Sequence, residues 1–272
     1  MALLLKPVPA RRGLRWVRDA FTLFARRPLA FASLFAVFLF AALLMAMLPL
    51  VGGLLQMMAL PLLSLGFMVA SRSALDGGAV GPVQFIEPLR SDAVRRRALL
   101  TLCVVYGLAA VGILLLCDLI SDSALQRLQL LMSRAGTPST DIDALLSEPG
   151  VFWAAVVGAV LGTALSLPFW HAPALVHWGA QGVGQALFSS ALAVWRSRGA
   201  FFVYGIAWLA LIMLFGLLSA VVFGLLGARQ LAGVAALPAG LLFSTVFYVS
   251  LLFTYNDSFG GTDDESSPTI EA

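Results

Sequence analysis

The amino-acid sequence predicts an all-α polytopic membrane protein. It has six transmembrane helices, arranged as three repeated units of an interfacial amphipathic helix followed by two spans. Three observations predict this. Apolar residues make up 60% of the 272-residue chain and charged residues 11%, against about 45–50% and about 25% in soluble domains. Six runs, roughly 29–50, 54–71, 98–117, 151–170, 200–226 and 231–255, contain no Asp, Glu, Lys or Arg. A pattern of amphipathic segment, basic cluster and apolar span recurs three times.

Each run is long enough, or nearly so, to cross about 30 Å of hydrocarbon as a helix. Helices of a soluble protein would carry polar residues at 3.6-residue spacing within such runs, and these carry almost none. The N-terminal stretch MALLLKPVPARRGLRW is not expected to be a cleaved signal peptide, because its apolar run is short and its arginines follow rather than precede it.

The first unit opens with WVRDAFTLFARRPLAF, residues 16–31. At 100° per residue Arg15, Arg18, Asp19, Thr22 and Arg26 share one side of a helix, and Leu14, Val17, Phe21 and Phe24 lie opposite. Such a helix suits the membrane interface, with its apolar side in the acyl chains and its arginines among headgroups. Pro28 is expected to break it where the first span begins. The second span carries Gln56, an amide within an apolar run, and Leu60-Pro61. Gly77-Gly78 closes the unit.

The second unit opens with FIEPLRSDAVRRRALL, residues 85–100. Phe85, Ile86, Leu89 and Ala93 form its apolar stripe, with Pro88 expected in the first turn. Its first span holds both cysteines, Cys103 and Cys117. Fourteen residues of helix separate them by about 21 Å, which excludes a disulfide between them. The loop 119–150 follows. Within it Ala124, Leu125, Leu128, Leu131 and Met132 predict a short amphipathic helix, which Gly136 and the turn Thr137-Pro138 end. The next span contains Gly158 and Gly162 at GxxxG spacing, suited to close helix approach. It ends in Leu167-Pro168 and the run PFWHAPALVHW with His171 and His177.

The third unit opens with LFSSALAVWRSRGAFF, residues 187–202. Leu187, Phe188, Ala191 and Trp195 oppose Gln185, Ser189 and Arg196. Its second span carries Leu237-Pro238. The units read as about 13–78, 79–182 and 183–255, one transmembrane domain over 1–255 with the loop 119–150 inserted in the middle copy. Residues 256–272 hold five acids and no basic residue and are expected to form a disordered acidic cytoplasmic tail.

The N-terminal basic helix with its Trp, the RRPLAF boundary of the first span, the proline of the second span and the six-span plan together resemble the "BPSS"-named family of proteobacterial membrane proteins. The resemblance covers most of the chain. It implies a six-span inner-membrane protein and brings no catalytic residues to carry over. The loop 119–150 and the acidic tail lie outside the matching pattern.

Orientation follows the distribution of Lys and Arg. Lys6, Arg11, Arg12, Arg15, Arg18, Arg26, Arg27, Arg72, Arg90, Arg95, Arg96, Arg97, Arg196 and Arg198 fall on one side. Arg127, Arg134 and Arg229 fall on the other. Both termini are therefore expected in the cytoplasm of a bacterial inner membrane.

Intramembrane chemistry normally announces itself as an ionisable residue within a span. The absence of one argues against a proton-coupled pump, a carboxylate-dyad protease and a charged ion path. No Gly-x-Ser-x-Gly accompanies the serines, so no enzyme activity, metal or cofactor is expected. His171 and His177, six residues apart, do not share a helix face as i, i+4 ligands would. Beside Trp170 and Trp178 they read as interfacial residues. With Gln56 they are the candidates for a polar vestibule. Arg26, Arg27, Arg95, Arg96, Arg97, Arg196 and Arg198 are the candidate contacts to lipid headgroups.

The expected function is a non-enzymatic membrane-organising or accessory protein. Its partners are membrane lipids, anionic ones foremost, with a membrane-protein partner or a second copy possible and nucleic acid not expected. The alternative is a transporter or channel for an apolar or amphipathic solute, since proline-broken helices build transporter sites.

Overall fold

Hydrocarbon offers a backbone amide no partner, so a chain this apolar must pair its peptide groups within helices. The computed structural model describes residues 5–49, 51–133, 144–227 and 230–260. Its helices are α1 (Arg12–Arg26), α2 (Pro28–Ala46), α3 (Gly52–Leu75), α4 (Val83–Ile86), α5 (Ala93–Ile120), α6 (Ala124–Ser133), α7 (Pro149–Phe169), α8 (Ala172–His177), α9 (Val183–Arg196), α10 (Arg198–Leu225) and α11 (Gln230–Phe259). No strand occurs among the described residues. Pro28–Ala46, Gly52–Leu75, Ala93–Ile120, Pro149–His177, Arg198–Leu225 and Gly233–Phe259 are long and apolar enough to cross a membrane. The six uncharged runs of the sequence fall within or across these same segments.

Local chemistry sets the breaks between each span and the amphipathic segment that precedes it, its collar: α1, α4 with its 3-10 turn, and α9. Arg27 leaves the helical region, with φ −144° and ψ 57°, because the ring of Pro28 disfavours helix at the preceding residue. Pro28 then takes the first position of α2, where its missing N–H costs nothing. Ser197 makes the corresponding break between α9 and α10.

The second junction differs from the expected helix over 85–100. The short α4 passes into a 3-10 turn, Glu87–Arg90, and the chain extends at Ser91. Asp92 then caps α5 by accepting the Arg95 N–H at 3.0 Å. The cap and Pro88 split the segment into two elements. Arg95, Arg96 and Arg97 consequently stand in the first turns of the span helix, not at the end of a collar helix.

Two apolar cores hold the bundle. One joins α3 and α11 to α5, α8 and α9, with Leu65, Met68, Leu102, Leu175 and Leu252 at its centre. The other joins α3 and α11 to α1, α2 and α10, with Trp16, Phe31, Phe67, Tyr204 and Val249. The helices α3 and α11 thus form the spine. Ten residues of α3 are buried, against three of α10.

The collars pack cyclically. Element α4 lies on α3, the span before it, and Phe85 fills the space over Gly66, where a Cβ would meet its ring. Helix α9 lies on α7 and α8. Helix α1 lies on α10 and α11, the last pair, and so closes the ring. This corrects the expected placement of α1. Its buried side, Trp16, Val17, Ala20 and Leu23, faces protein and not acyl chains. Leu14, expected on the apolar side, is 60% exposed. Gly13 permits the close approach, since a Cβ there would strike the Ala200 carbonyl.

Asp257 fixes α1 in place. Its carboxylate accepts from Arg12 Nε at 2.7 Å and from the second guanidinium nitrogen at 2.5 Å. It also accepts from Trp16 Nε1 at 2.7 Å. Asp257 was expected in a disordered tail starting at 256. Helix α11 instead continues to Phe259, with Ser258 and Phe259 buried, because these contacts and the N-terminal segment around Lys6 hold its last turn. Residues 261–272 lie outside the described residues.

At the opposite end α6 begins at Ala124 as the apolar stripe suggests, and Arg127 pairs with Glu148 at 3.3 Å. Gly136 and Thr137-Pro138 lie outside the described residues. Cys103 and Cys117 are both buried and free.

Replacing Asp257 with Asn removes the counter-charge of Arg12 while keeping the shape. The expected cost is about 1–2 kcal/mol, discounted from a fully buried pair because the Arg12 side chain is 28% exposed. Equilibrium unfolding in detergent measures it, and a stability equal to wild type would remove the carboxylate from this role.

Candidate functional site

The arginines of the three span junctions lie on the face that also carries the described start of the chain, around Lys6 and Val8. The Lys6 N–H donates to the Ser258 carbonyl at 3.2 Å, and the Val8 N–H donates to Ser197 Oγ at 3.1 Å. The N-terminal segment, the end of α11 and the α9–α10 junction therefore meet on this face. The ends of α3 and α8 and the start of α5 join them.

The arginines here divide into two groups. Arg27 reaches across to the turn after α3 and donates to the carbonyls of Gly78 and Gly77. Arg95 pairs with Asp92 at 2.9 Å and donates to the His177 carbonyl at 3.3 Å. The Asp92 carboxyl is held below its ordinary range, first by the Arg95 N–H and further by the guanidinium charge. Arg12 is tied to Asp257, and Arg72 lies over the Trp178 ring at 5.2 Å. Arg12, Arg27 and Arg95 are held by polar partners within the fold, whereas Arg72 has only the ring contact and its guanidinium has no hydrogen-bond or ion-pair partner among the described residues. Arg26, Arg96, Arg97 and Arg196 are exposed, and their guanidinium groups have no hydrogen-bond or ion-pair partner among the described residues. Arg198 is exposed as well and stands 5.9 Å from the Trp195 ring centroid. On α1, burial raises the Asp19 carboxyl above its usual range, and Arg12 and Arg18 oppose that shift.

Of the seven candidate headgroup contacts, Arg26, Arg96, Arg97, Arg196 and Arg198 present free or largely free guanidinium groups. Arg27 and Arg95 are engaged internally. The sequence could not divide them, because the backbone carbonyls that engage Arg27 and Arg95 lie fifty or more residues away, and the nearby Asp92 gives no sign of which arginine it pairs with.

The structure does not bring the three vestibule candidates together. Gln56 donates to the Ala42 carbonyl of α2 at 2.7 Å. It lies about 24 Å along α3 from Arg72, which stands over Trp178 next to His177. His171 is fully buried, ringed by Phe201, Tyr255 and Phe259 at 5.4–6.0 Å. The vestibule is therefore corrected: Gln56 joins two spans, and His171 is part of a packed break in the fourth.

That break has its own chemistry. Pro168 and Pro173 lack N–H donors, and the helix divides between α7 and α8. The Leu167 carbonyl and His171 N–H are left without helical partners. Ser190 of α9 serves both: its hydroxyl donates to the Leu167 carbonyl at 3.0 Å and accepts the His171 N–H at 2.9 Å. On the other side Thr254 donates to the Leu251 carbonyl at 2.8 Å. Its single proton is thereby committed, so it accepts from Trp170 Nε1 at 3.2 Å and from His171 Nε2 at 3.1 Å. The imidazole accordingly carries its proton on Nε2.

Sequence reasoning missed Asp257, Ser190 and Thr254. Asp257 and Thr254 are small polar residues in the last turns of an apolar helix, and Ser190 lies in the middle of an amphipathic one, signals too common to single out. Among the described residues no three His, Cys, Asp or Glu side chains gather as a metal would require.

The chain is 35% identical over 256 residues to the probable inner membrane protein BTH_II0599 of Burkholderia thailandensis, and the match covers 93% of each chain. No family model matches, and no solved structure matches.

Ser190→Ala should destabilise the bundle by about 1–3 kcal/mol, because it orphans two buried backbone groups at once. Ser189→Ala, one residue away, should change little. Thermal unfolding of the purified protein separates the two, and equal melting of both variants would exclude the bridging role.

Proposed function

The chain belongs to the family of this Burkholderia inner membrane protein, and from that premise we propose that it is a non-enzymatic membrane-organising or accessory protein whose exposed arginines contact anionic lipid headgroups. One observation carries the reading. Arg26, Arg96, Arg97, Arg196 and Arg198 come from all three span junctions and stand exposed on one face. Near an anionic surface each such charge contributes about 1 kcal/mol. Six spans alternating in direction support reading this face as the side of residues 5 and 260, and the excess of Lys and Arg supports reading that side as cytoplasmic.

The finer likeness, to the "BPSS"-named family, rests on the motifs of the first unit and on the six-span plan. The cyclic packing of the collars supports reading the chain as three parallel repeats. The helix–break–helix junctions at Arg27 and Ser197 match each other, and the middle copy departs from them. A membrane-protein partner or a second copy is part of the proposal, because an accessory role needs one.

Arg96, Arg97, Arg196 and Arg198 replaced together by Gln should weaken retention of anionic phospholipid in mild detergent by at least tenfold and up to about a thousandfold, the limit at which four contributions of about 1 kcal/mol add. Arg27→Gln should instead lower stability. Unchanged anionic lipid in the quadruple variant would overturn the headgroup reading. Solute uptake into proteoliposomes would move the assignment to the transporter alternative.

Topology is tested separately. A reporter active only in the periplasm should be active at Gly136 and silent at the C-terminus. The reverse result inverts the orientation.

A further inference from the structure

One part of the cytoplasm-assigned face is not basic. A recess of about 360 Å3 opens where the end of α3, the 3-10 turn and the residue after α8 converge. Arg72, Ser73, Asp76, Glu87 and Trp178 line it. The side chains carry one positive and two negative charges, on a face that also presents the free arginines.

These charges are not used up within the fold. Arg72 and Asp76 stand four apart at the end of α3, a spacing that allows an ion pair. They do not pair, because the Arg72 guanidinium lies over the Trp178 ring. Neither Asp76 nor Glu87 forms an ion pair among the described residues. Ser73 Oγ donates its proton to the Ala79 carbonyl at 2.7 Å, so toward the recess it can only accept. Three acceptor groups thus stand beside one guanidinium.

We propose that this recess binds a phosphoethanolamine group, with the ammonium among Asp76, Glu87 and Ser73 and the phosphate against Arg72. A simple anion does not fit two carboxylates. A cation without an anionic partner leaves Arg72 unmatched. The amine must also be unsubstituted. An ammonium donates three hydrogen bonds, which suits three acceptors. A trimethylated amine donates none and needs an open aromatic face. Trp178 has none to offer, since Arg72 covers it at 5.2 Å and Tyr255 and His177 crowd it at 5.2 and 5.8 Å. Two sources carry this chemistry, the headgroup of phosphatidylethanolamine and free phosphoethanolamine.

The site is distinct from the arginines that hold anionic lipid in the reading above, so each proposal can fail alone. The full-length protein in dodecylmaltoside is titrated by native mass spectrometry with dioleoyl phosphatidylethanolamine, phosphatidylcholine and phosphatidylglycerol. Thermal unfolding is followed with free phosphoethanolamine. Wild type should prefer the ethanolamine lipid over the choline lipid by about tenfold, the worth of charge-assisted hydrogen bonds that the choline group cannot make. Asp76→Asn with Glu87→Gln should erase that preference and leave phosphatidylglycerol binding unchanged.

The Arg96, Arg97, Arg196 and Arg198 quadruple variant should keep the preference while losing the anionic lipid. Stabilisation by free phosphoethanolamine assigns a soluble source, and its absence beside a retained lipid preference assigns a lipid one. Equal binding of the ethanolamine and choline lipids by wild type, with no stabilisation by free phosphoethanolamine, overturns the proposal without any variant. So does a preference that survives the double substitution.

Discussion

The contact between Asp257 and α1 governs much of the architecture. A carboxylate at the C-terminal end of a helix meets the negative end of the helix dipole and is unfavourable there unless paired. Asp257 is in that position on α11, partly buried, and three donors from Arg12 and Trp16 surround it. The only element that supplies those donors is α1, so the first helix of the chain must sit on the last. Once it does, its apolar side lies against Ala200, Tyr204 and Trp208, and the ring of collars is closed.

The same physical demand recurs at the other junctions. A span that ends or breaks near the membrane surface leaves carbonyls or charges without partners. A polar group from another collar or junction supplies them. Ser190 of α9 bridges the break after α7. Arg27, at the end of α1, reaches the carbonyls of Gly77 and Gly78 beyond α3. Arg95 holds the last carbonyl of α8. The collars therefore act as side-chain caps for the spans, and the arginines are split between capping and exposure.

The six spans were legible because charge is forbidden in hydrocarbon, and a missing charge is visible in any sequence. The break at Pro28 was legible because proline acts through its own geometry. The placement of α1 was not. An amphipathic helix shows that one side is buried but not whether lipid or protein buries it, and only the side chemistry of Trp16, which needs an acceptor for its N–H, separates the cases. Asp257 was hidden by composition, since the acids of 263–271 make the whole C-terminal stretch read as solvated. The middle junction misled for another reason: a run of arginines looks the same at the end of one helix as at the start of the next. Only the Ser91-Asp92 pair, an extended residue and a cap, told them apart.

These distinctions bear on function through electrostatics. An arginine count along the sequence describes the whole face as anion-binding. The structure removes Arg12, Arg27 and Arg95 from that count by giving each an internal polar partner. It also leaves Asp76 and Glu87 without ion pairs beside Arg72. The face is therefore not a uniform positive surface but a set of free arginines around a recess of mixed sign. A uniform surface would distinguish lipids only by net charge. A mixed recess distinguishes headgroups of the same net charge by the donors they carry, because its exposed carboxylates accept hydrogen bonds from an ammonium that an arginine cannot accept.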